Sequence, residues 1–335
     1  NNWGIEPHGD ITKHRKDVPK HDILCAGFPC QPFSKAGLQR GFDDDRGNLF
    51  FEICKIANKH KPKFMILENV RNLASHDDGN TWNVIRESID YLGYYTYDKP
   101  VILNTMHFNV PQNRERVVIM CKRKDLGELP PLPEISKRPK VDNLSEYITH
   151  GGKPNLSKKM LEVEKVWDEF IALGIEIPKF PIWTDWWDRE GTDERYTRWI
   201  ENNKKFYIEN RSVLDPWLKR SRENPHWVGA VRKLEWQAGD RRDGDSMKSL
   251  LWSSRGSGIR VKRLDYIPTL VAMSHIPVWG PESRTLSSRE LLRLQSFPED
   301  FKYDEKSVFK QVGNAVNVEM IKGCTRFLVL NKPLF

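Results

Sequence analysis

The sequence predicts an α/β chain in which a sheet with covering helices is followed by a second, smaller module. Three observations carry this. From residue 8 to about 123, short apolar runs alternate with segments of helical spacing. Ten of the twelve tryptophans then fall between Trp167 and Trp279, which marks a change of module. Last, an apolar segment from Val312 to Val329 is expected to rejoin the first module.

Taken in order, Ile23–Phe28, Phe64–Leu67, Tyr95–Leu103 and Val117–Cys121 are short apolar runs of strand length, and Leu49–Asn58 and Trp82–Leu92 place apolar residues on one helical face. Their alternation predicts a mostly parallel sheet. Gly127–Lys140, rich in proline and charge, reads as the exit from that domain. The tryptophan-rich stretch is too aromatic for a disordered insert, and its tryptophans are expected in a core rather than stacked on a ligand. Ser288–Ser296 is expected to be a helix introduced by Ser287. The domains expected are therefore residues 1–149, 150–298 and a returning segment 299–335.

The chain has 335 residues, five cysteines without a C-x-x-C pair, and no apolar run long enough to span a bilayer. We expect no metal and no membrane partner. The cysteine usage and the polar start point to a reducing, cytoplasmic setting. A formal charge of +8 favours a polyanionic partner.

Three segments carry chemistry. Cys30 lies between Pro29 and Gln31, just after the first strand, in a polar loop with Ser34, Gly37 and Gly41. Glu68 ends the second strand, which brings a carboxylate to the same rim as the thiol. Gln112-Asn113-Arg114-Glu115-Arg116 leads into the fourth strand and adds two guanidinium groups, with Gln112 expected to order the turn. A nucleophilic thiol, a carboxyl group and arginine forks suit covalent chemistry on a flat heterocycle. A buried structural cysteine and a solvated strand-end acid are the plainer alternatives.

The order of these blocks resembles the cytosine-C5 DNA methyltransferases from near residue 8 to residue 330. The matching blocks are Gly9-Asp10-Ile11-Thr12, the Pro29-Cys30-Gln31 loop, Arg46 to Phe51, Glu68-Asn69-Val70, Gln112 to Arg116, Arg289 to Pro298, and Gly313-Asn314-Ala315-Val316. Seven blocks in order are far more specific than Pro-Cys alone. The resemblance implies a Rossmann-like methyltransferase sheet and a target-recognition domain between the Gln112 and Arg289 blocks. It implies that S-adenosylmethionine is the cofactor and double-stranded DNA the partner, in a bacterial restriction-modification context.

By the same resemblance, Cys30 would add to C6 of cytosine. Glu68 would hold the N3 and N4 edge, Arg116 would hold O2, and Arg114 would hold a nearby phosphate or acid. The target base would have to flip out of the duplex, with residues 31–46 as a lid over it. Asp10, Ile11, Pro29, Leu49, Asn314 and Ala315 would contact the cofactor. Gln31 and Ser34 would touch DNA. Recognition would fall to Arg241, Arg242, Arg255, Arg260, Lys262 and Arg263, with Thr269 near the target backbone, although a solvated charged surface explains such residues equally well.

The family's Phe-x-Gly-x-Gly cofactor loop and first two strands do not occur in this sequence. A second chain, or sequence lying outside these 335 residues, is therefore expected to supply them. The sheet would otherwise expose an apolar edge, and the isolated chain is expected to bind the cofactor weakly. Two other readings stay open: a tRNA cytosine methyltransferase of related fold, and a catalytically silent DNA-binding subunit.

Overall fold

Alternate side chains of Phe64–Val70 belong to two different cores, and this two-sided burial organises the first half of the molecule. The structure is a computed structural model describing residues 2–4, 6–29, 49–137, 139–191, 193–272 and 275–335. In chain order the principal elements begin with α1 (Ile11–His14), β1 (Ile23–Gly27), α2 (Leu49–His60), β2 (Phe64–Val70), α3 (Asn80–Tyr91), β3 (Tyr94–Tyr95), β4 (Ile102–Asn104) and β5 (Glu115–Arg123). They continue with α4 (Lys158–Ile171), β6 (Ile182–Trp183), α5 (Thr197–Glu209), α6 (Arg211–Glu223), β7 (Lys233–Trp236), β8 (Leu251–Arg255) and β9 (Gly258–Lys262). The last are β10 (Val278–Trp279), β11 (Arg284–Thr285), α7 (Ser288–Leu294), α8 (Val308–Asn314) and α9 (Val318–Leu330). Two compact units result, one of Asn1–Val141, Leu294–Asp304 and Ala315–Phe335, the other of Asp142–Arg293 and Glu305–Asn314.

In the first unit the strand order is β1-β2-β5-β3, with β4 also on β5. Strands β1 and β2 are parallel, while β5 is antiparallel to β2, β3 and β4. The described sheet is therefore mixed rather than mostly parallel. The reason is connection length: the ten residues between β4 and β5 are too few for a crossover, so β5 must run back between its neighbours. The single strand expected over Tyr95–Leu103 is also split into β3 and β4. Pro100, which has no N–H for a ladder, lies in the gap.

On one face of this sheet, Met65, Leu67, Val117, Ile119 and Cys121 pack with Phe50, Phe51 and Cys54 of α2 and Trp82, Ile85 and Ile89 of α3. On the other, Ile66, Leu103, Val118 and Met120 pack with Met320, Cys324, Phe327 and Leu328 of α9. Helices thus cover both faces, and the strands read as continuous apolar runs for that reason.

The second unit contains a six-stranded sheet in the order β11-β10-β8-β9-β7-β6, with only β9 and β7 parallel. Its core is aromatic. Trp167, Trp217 and Trp227 have ring centroids 5.0–5.8 Å apart, and Trp187, Trp236 and Trp252 join the same cluster. The indole N–H of Trp167 donates to Val231 O at 2.9 Å and that of Trp217 to Val166 O at 3.0 Å, which offsets the burial of those polar atoms. Most of the tryptophans that distinguish this region are thus core residues, although Trp199 remains 47% exposed.

Helix α7 starts as its sequence predicts. The Ser287 hydroxyl accepts from Glu290 N (3.3 Å), and the Glu290 carboxylate accepts from Ser287 N (2.6 Å), a reciprocal capping box. Glu290 is fully buried and also takes Arg284 through two bonds of 2.8 and 2.9 Å and Thr149 N at 2.8 Å.

Candidate active site

The site starts where β1 and β2 end side by side. Their register sets Gly27 opposite Glu68, and the buried Asn69 amide donates to Phe28 O at 2.9 Å, fixing the chain as it leaves β1. A Cβ on Gly27 would lie 3.4 Å from Glu68 Oε2, so the absence of a side chain there keeps space open beside the carboxylate. Pro29 follows, exposed. Cys30, Gln31 and Ser34, with the expected lid over 31–46, lie outside the described residues.

Glu68 and Arg116 meet because of the pleat. Residues 66, 68 and 70 of β2 face the same side as residues 116, 118 and 120 of β5, and Arg116 pairs in register with Val70. Arg116 Nε lies 2.8 Å from Glu68 Oε1, with the two side chains only 12% and 17% exposed. Burial raises the Glu68 pKa, and the Arg116 and Arg114 charges only partly offset this. The carboxyl therefore holds a proton more readily than an exposed glutamate. Burial likewise lowers the Arg116 pKa, with Glu68 opposing it.

Arg114 is deeper still, at 1% exposure. Its guanidinium donates to Ala315 O at 2.7 Å, and its main-chain N–H donates to Asn104 Oδ1 at 3.3 Å. Burial pushes its pKa down to about 9, which still leaves it charged at neutral pH. Gln112 does more than order its own turn. Its amide donates to Leu294 O at 2.7 Å and approaches Gln295 Oε1 at 3.5 Å, tying this segment to the C-terminal end of α7. Gln295 stands in the Arg289 block without an expected role, yet it is fully buried, and a buried amide in an amphipathic pattern is the signal that would have singled it out.

Of the expected cofactor residues, Asp10 caps α1. Its Oδ1 accepts from Thr12 N (3.0 Å) and the Thr12 hydroxyl (2.9 Å), and these bonds hold its pKa low. Arg15, just after α1, pairs with Glu52 of α2, so Asp10–Ile11 and the helix that begins at Leu49 are tied together. Leu49 is partly buried against the core of this unit. Asn314 ends α8, exposed, and Ala315 follows it. Gly313 is required for close approach: a Cβ there would lie 2.3 Å from Ala272 N.

In the second unit, Lys233, Glu235, Ser253, Arg255, Arg260 and Lys262 occupy the sheet face opposite Trp252, Ile259 and Val261. Arg260 Nε donates to Glu235 at 2.5 Å, Lys262 sits 3.7 Å over the Tyr266 ring, and Arg263 is held by Asp245, Ala238 O and Asp240 O. These cations are engaged within the unit. Arg242 is exposed, Arg255 is partly buried on Ser253 Oγ at 3.3 Å, and Arg241 lies 3.8 Å from an exposed Asp243. Thr269 is partly buried. Among the described residues, no group of three or more His, Cys, Asp or Glu side chains is placed to hold a metal, and no helix is long and apolar enough to cross a membrane.

A family model described as C-5 cytosine-specific DNA methylase matches residues 1–328. The Type II methyltransferase M.NgoBI of Neisseria gonorrhoeae is 50% identical over 338 aligned positions, covering 99% of this chain and 82% of that protein. M.AluI of Cellulosimicrobium cellulans is 28% identical over 97% of this chain and 84% of its own length. M.HhaI of Haemophilus parahaemolyticus is 50% identical over 127 residues, 38% of each chain.

Proposed function

The chain belongs to the C-5 cytosine-specific DNA methylase family, and on that premise we propose that it methylates C5 of a cytosine extruded from a specific duplex DNA site, through a bond between the Cys30 sulfur and C6. The observation that carries this reading is the largely buried Glu68–Arg116 pair, with Glu68 in register with Gly27, the last residue of β1, three residues before Cys30 in sequence. Cytosine C5 is a poor nucleophile until a thiolate adds at C6 and turns the ring into an enamine. Glu68, its pKa raised, donates to N3 as negative charge builds there, while its other oxygen accepts from N4. Arg116 donates to O2 and holds Glu68 in place.

The buried cysteines support this assignment. Burial pushes the thiols of Cys54, Cys121 and Cys324 up, the reverse of what a nucleophile needs. No stacked base can reach these groups, so the cytosine must leave the duplex.

S-adenosylmethionine, when bound, supplies an electrophilic methyl group. Asp10 fits it: both Thr12 bonds fall on Oδ1, which leaves Oδ2 for an amino group such as that of adenine. Ile11 and Leu49 would pack on the purine, Pro29 would line the pocket, and Asn314 with Ala315 would hold the amino-acid end. Strand β1 lies at the end of the described strand order, so further strands, from a second chain or from sequence outside these 335 residues, could pair beside it and complete the pocket.

Residues 150–298 would read the DNA target. Arg242 and Arg255 are the nearest to hand, and Arg241, Arg260 and Lys262 would exchange their present partners for DNA, with Gln31, Ser34 and Thr269 at the flipped nucleotide. The resulting mark would protect host DNA in a restriction-modification system, as the Type II relatives suggest. Bisulfite sequencing of DNA from cells expressing this protein, with and without the adjacent reading frames, tests the proposal. Protected cytosines at one recurring sequence are expected. Unmodified DNA alongside a methylated tRNA would contradict it.

A further inference from the structure

We propose that Gln295 is a positioning residue that couples the donor-side backbone at Ala315 to the base-side arginine Arg114. The inference rests on the functional reading above, in which Asn314–Ala315 approaches the methyl donor.

The geometry is a closed clasp in the first unit. Ala315 O accepts from the Arg114 guanidinium at 2.7 Å and from the Gln295 amide at 3.5 Å. The Gln295 side-chain oxygen faces the Gln112 amide at 3.5 Å, and that amide makes its shorter bond, 2.7 Å, to Leu294 O. Gln295 O accepts from Val318 N at 3.1 Å, and Asn317, the cap of α9, donates to the Ser296 hydroxyl at 3.0 Å. Gln112, Gln295, Arg114 and Asn317 are all at most 1% exposed.

A fold gains little stability from burying two amides and a guanidinium where apolar side chains of similar volume would pack. What such a network does provide is one fixed arrangement, since every donor demands its acceptor. Here the fixed object is the carbonyl shared by Arg114 and Gln295. Arg114 stands beside Arg116 and Glu68 in the same electrostatic cluster. The Gln295 contacts to Ala315 O and to the Gln112 amide are long, at 3.5 Å each, and the bonds beside them are short. A small shift of Ala315 as the donor settles next to Asn314 would shorten them and pull Arg114 into register. Gln295 touches neither base nor donor and works only through its neighbours.

Steady-state methylation of duplex DNA by the complete enzyme tests this with Gln295→Leu and Gln295→Glu. The leucine variant should lower kcat about tenfold and raise KM for S-adenosylmethionine several-fold, because sub-ångström misplacement at a reacting centre has effects of this order. Its DNA affinity without donor and its melting temperature should stay near wild type. In Gln295→Glu the side chain can still accept from Gln112, but only its protonated form can donate to Ala315 O. Its kcat relative to wild type should therefore climb as pH falls from 8.5 to 6. Wild-type kcat and donor KM in the leucine variant, or a glutamate-to-wild-type ratio flat across pH, would overturn the proposal. If the leucine variant fails to fold, the pH ratio of the glutamate variant decides. A wild-type enzyme that transfers no methyl group in the same assay defeats the functional reading itself, and this coupling with it.

Discussion

Glu68→Gln separates charge from shape at the centre of the site. Glutamine keeps an oxygen for the Arg116 Nε, now 2.8 Å from Oε1, and keeps groups that can hydrogen-bond N3 and N4 of a cytosine. What it loses is a transferable proton. General acid catalysis contributes roughly 10²–10⁴ in rate, or about 3–5 kcal/mol of barrier, so kcat should fall by at least about a hundredfold while DNA binding persists. Stability should move in the opposite sense to intuition about broken ion pairs. The Glu68 pKa is raised in the fold, so the folded site favours the neutral carboxyl and its ionisation opposes folding as pH rises. Replacing the charge by an amide should therefore cost little, within about 1 kcal/mol. The assay is transfer of a labelled methyl group to duplex DNA, with thermal melting and DNA binding measured on the same preparations. A variant with wild-type kcat would refute the proton-donor role. A variant that unfolds would refute the electrostatic argument.

Other substitutions probe the remaining parts. Glu290 is the opposite case to Glu68: its pKa is lowered by Arg284 and by the Ser287 and Thr149 N–H groups despite burial, so Glu290→Gln should cost roughly 3 kcal/mol in urea denaturation, and a shift below 1 kcal/mol would contradict this. The same sign governs pH. Glu290 and Asp245, both lowered, stabilise the second unit above ordinary carboxyl pKa values and lose that contribution as pH falls through their depressed folded values, so the denaturation midpoint should drop below about pH 4.5. Trp217→Ala should cost about 3–5 kcal/mol and Trp199→Ala less than about 0.5, and equal losses would argue against the aromatic core described. Arg242→Ala should weaken binding to all DNA sequences alike and reduce the salt slope by about one, whereas an unchanged slope would remove Arg242 from the phosphate contacts.

The elements legible in the sequence were those with strong local signals. The runs at Phe64 and Val117 are strands because both sheet faces are covered there, the run at Ile23 is a strand paired along β2, and Ser287 with Glu290 announces a helix start by local chemistry. Direction was not local: β5 runs against β2, and only the short connection from β4 implies it. Pairing between distant residues was also invisible. Nothing in the chain near Arg260 says that Glu235, 25 residues earlier, holds it, or that Gln112 reaches across to Leu294. At the site, a mostly parallel sheet would set Glu68, at the end of β2, and Arg116, at the start of β5, on opposite rims; the antiparallel run of β5 brings them together, in a diagonal register that sequence spacing does not encode.

The central claim is the covalent bond from Cys30, and trapping tests it most directly. The complete enzyme, supplied with S-adenosylmethionine and a duplex carrying 5-fluorocytosine at the target, should stall after methyl transfer because fluorine cannot leave as a cation. A denaturation-resistant protein–DNA adduct is predicted, with the crosslink mapped by mass spectrometry to Cys30, and Cys30→Ser should give none. An adduct mapped to another residue, or a serine variant that still methylates at the wild-type rate, would contradict the account.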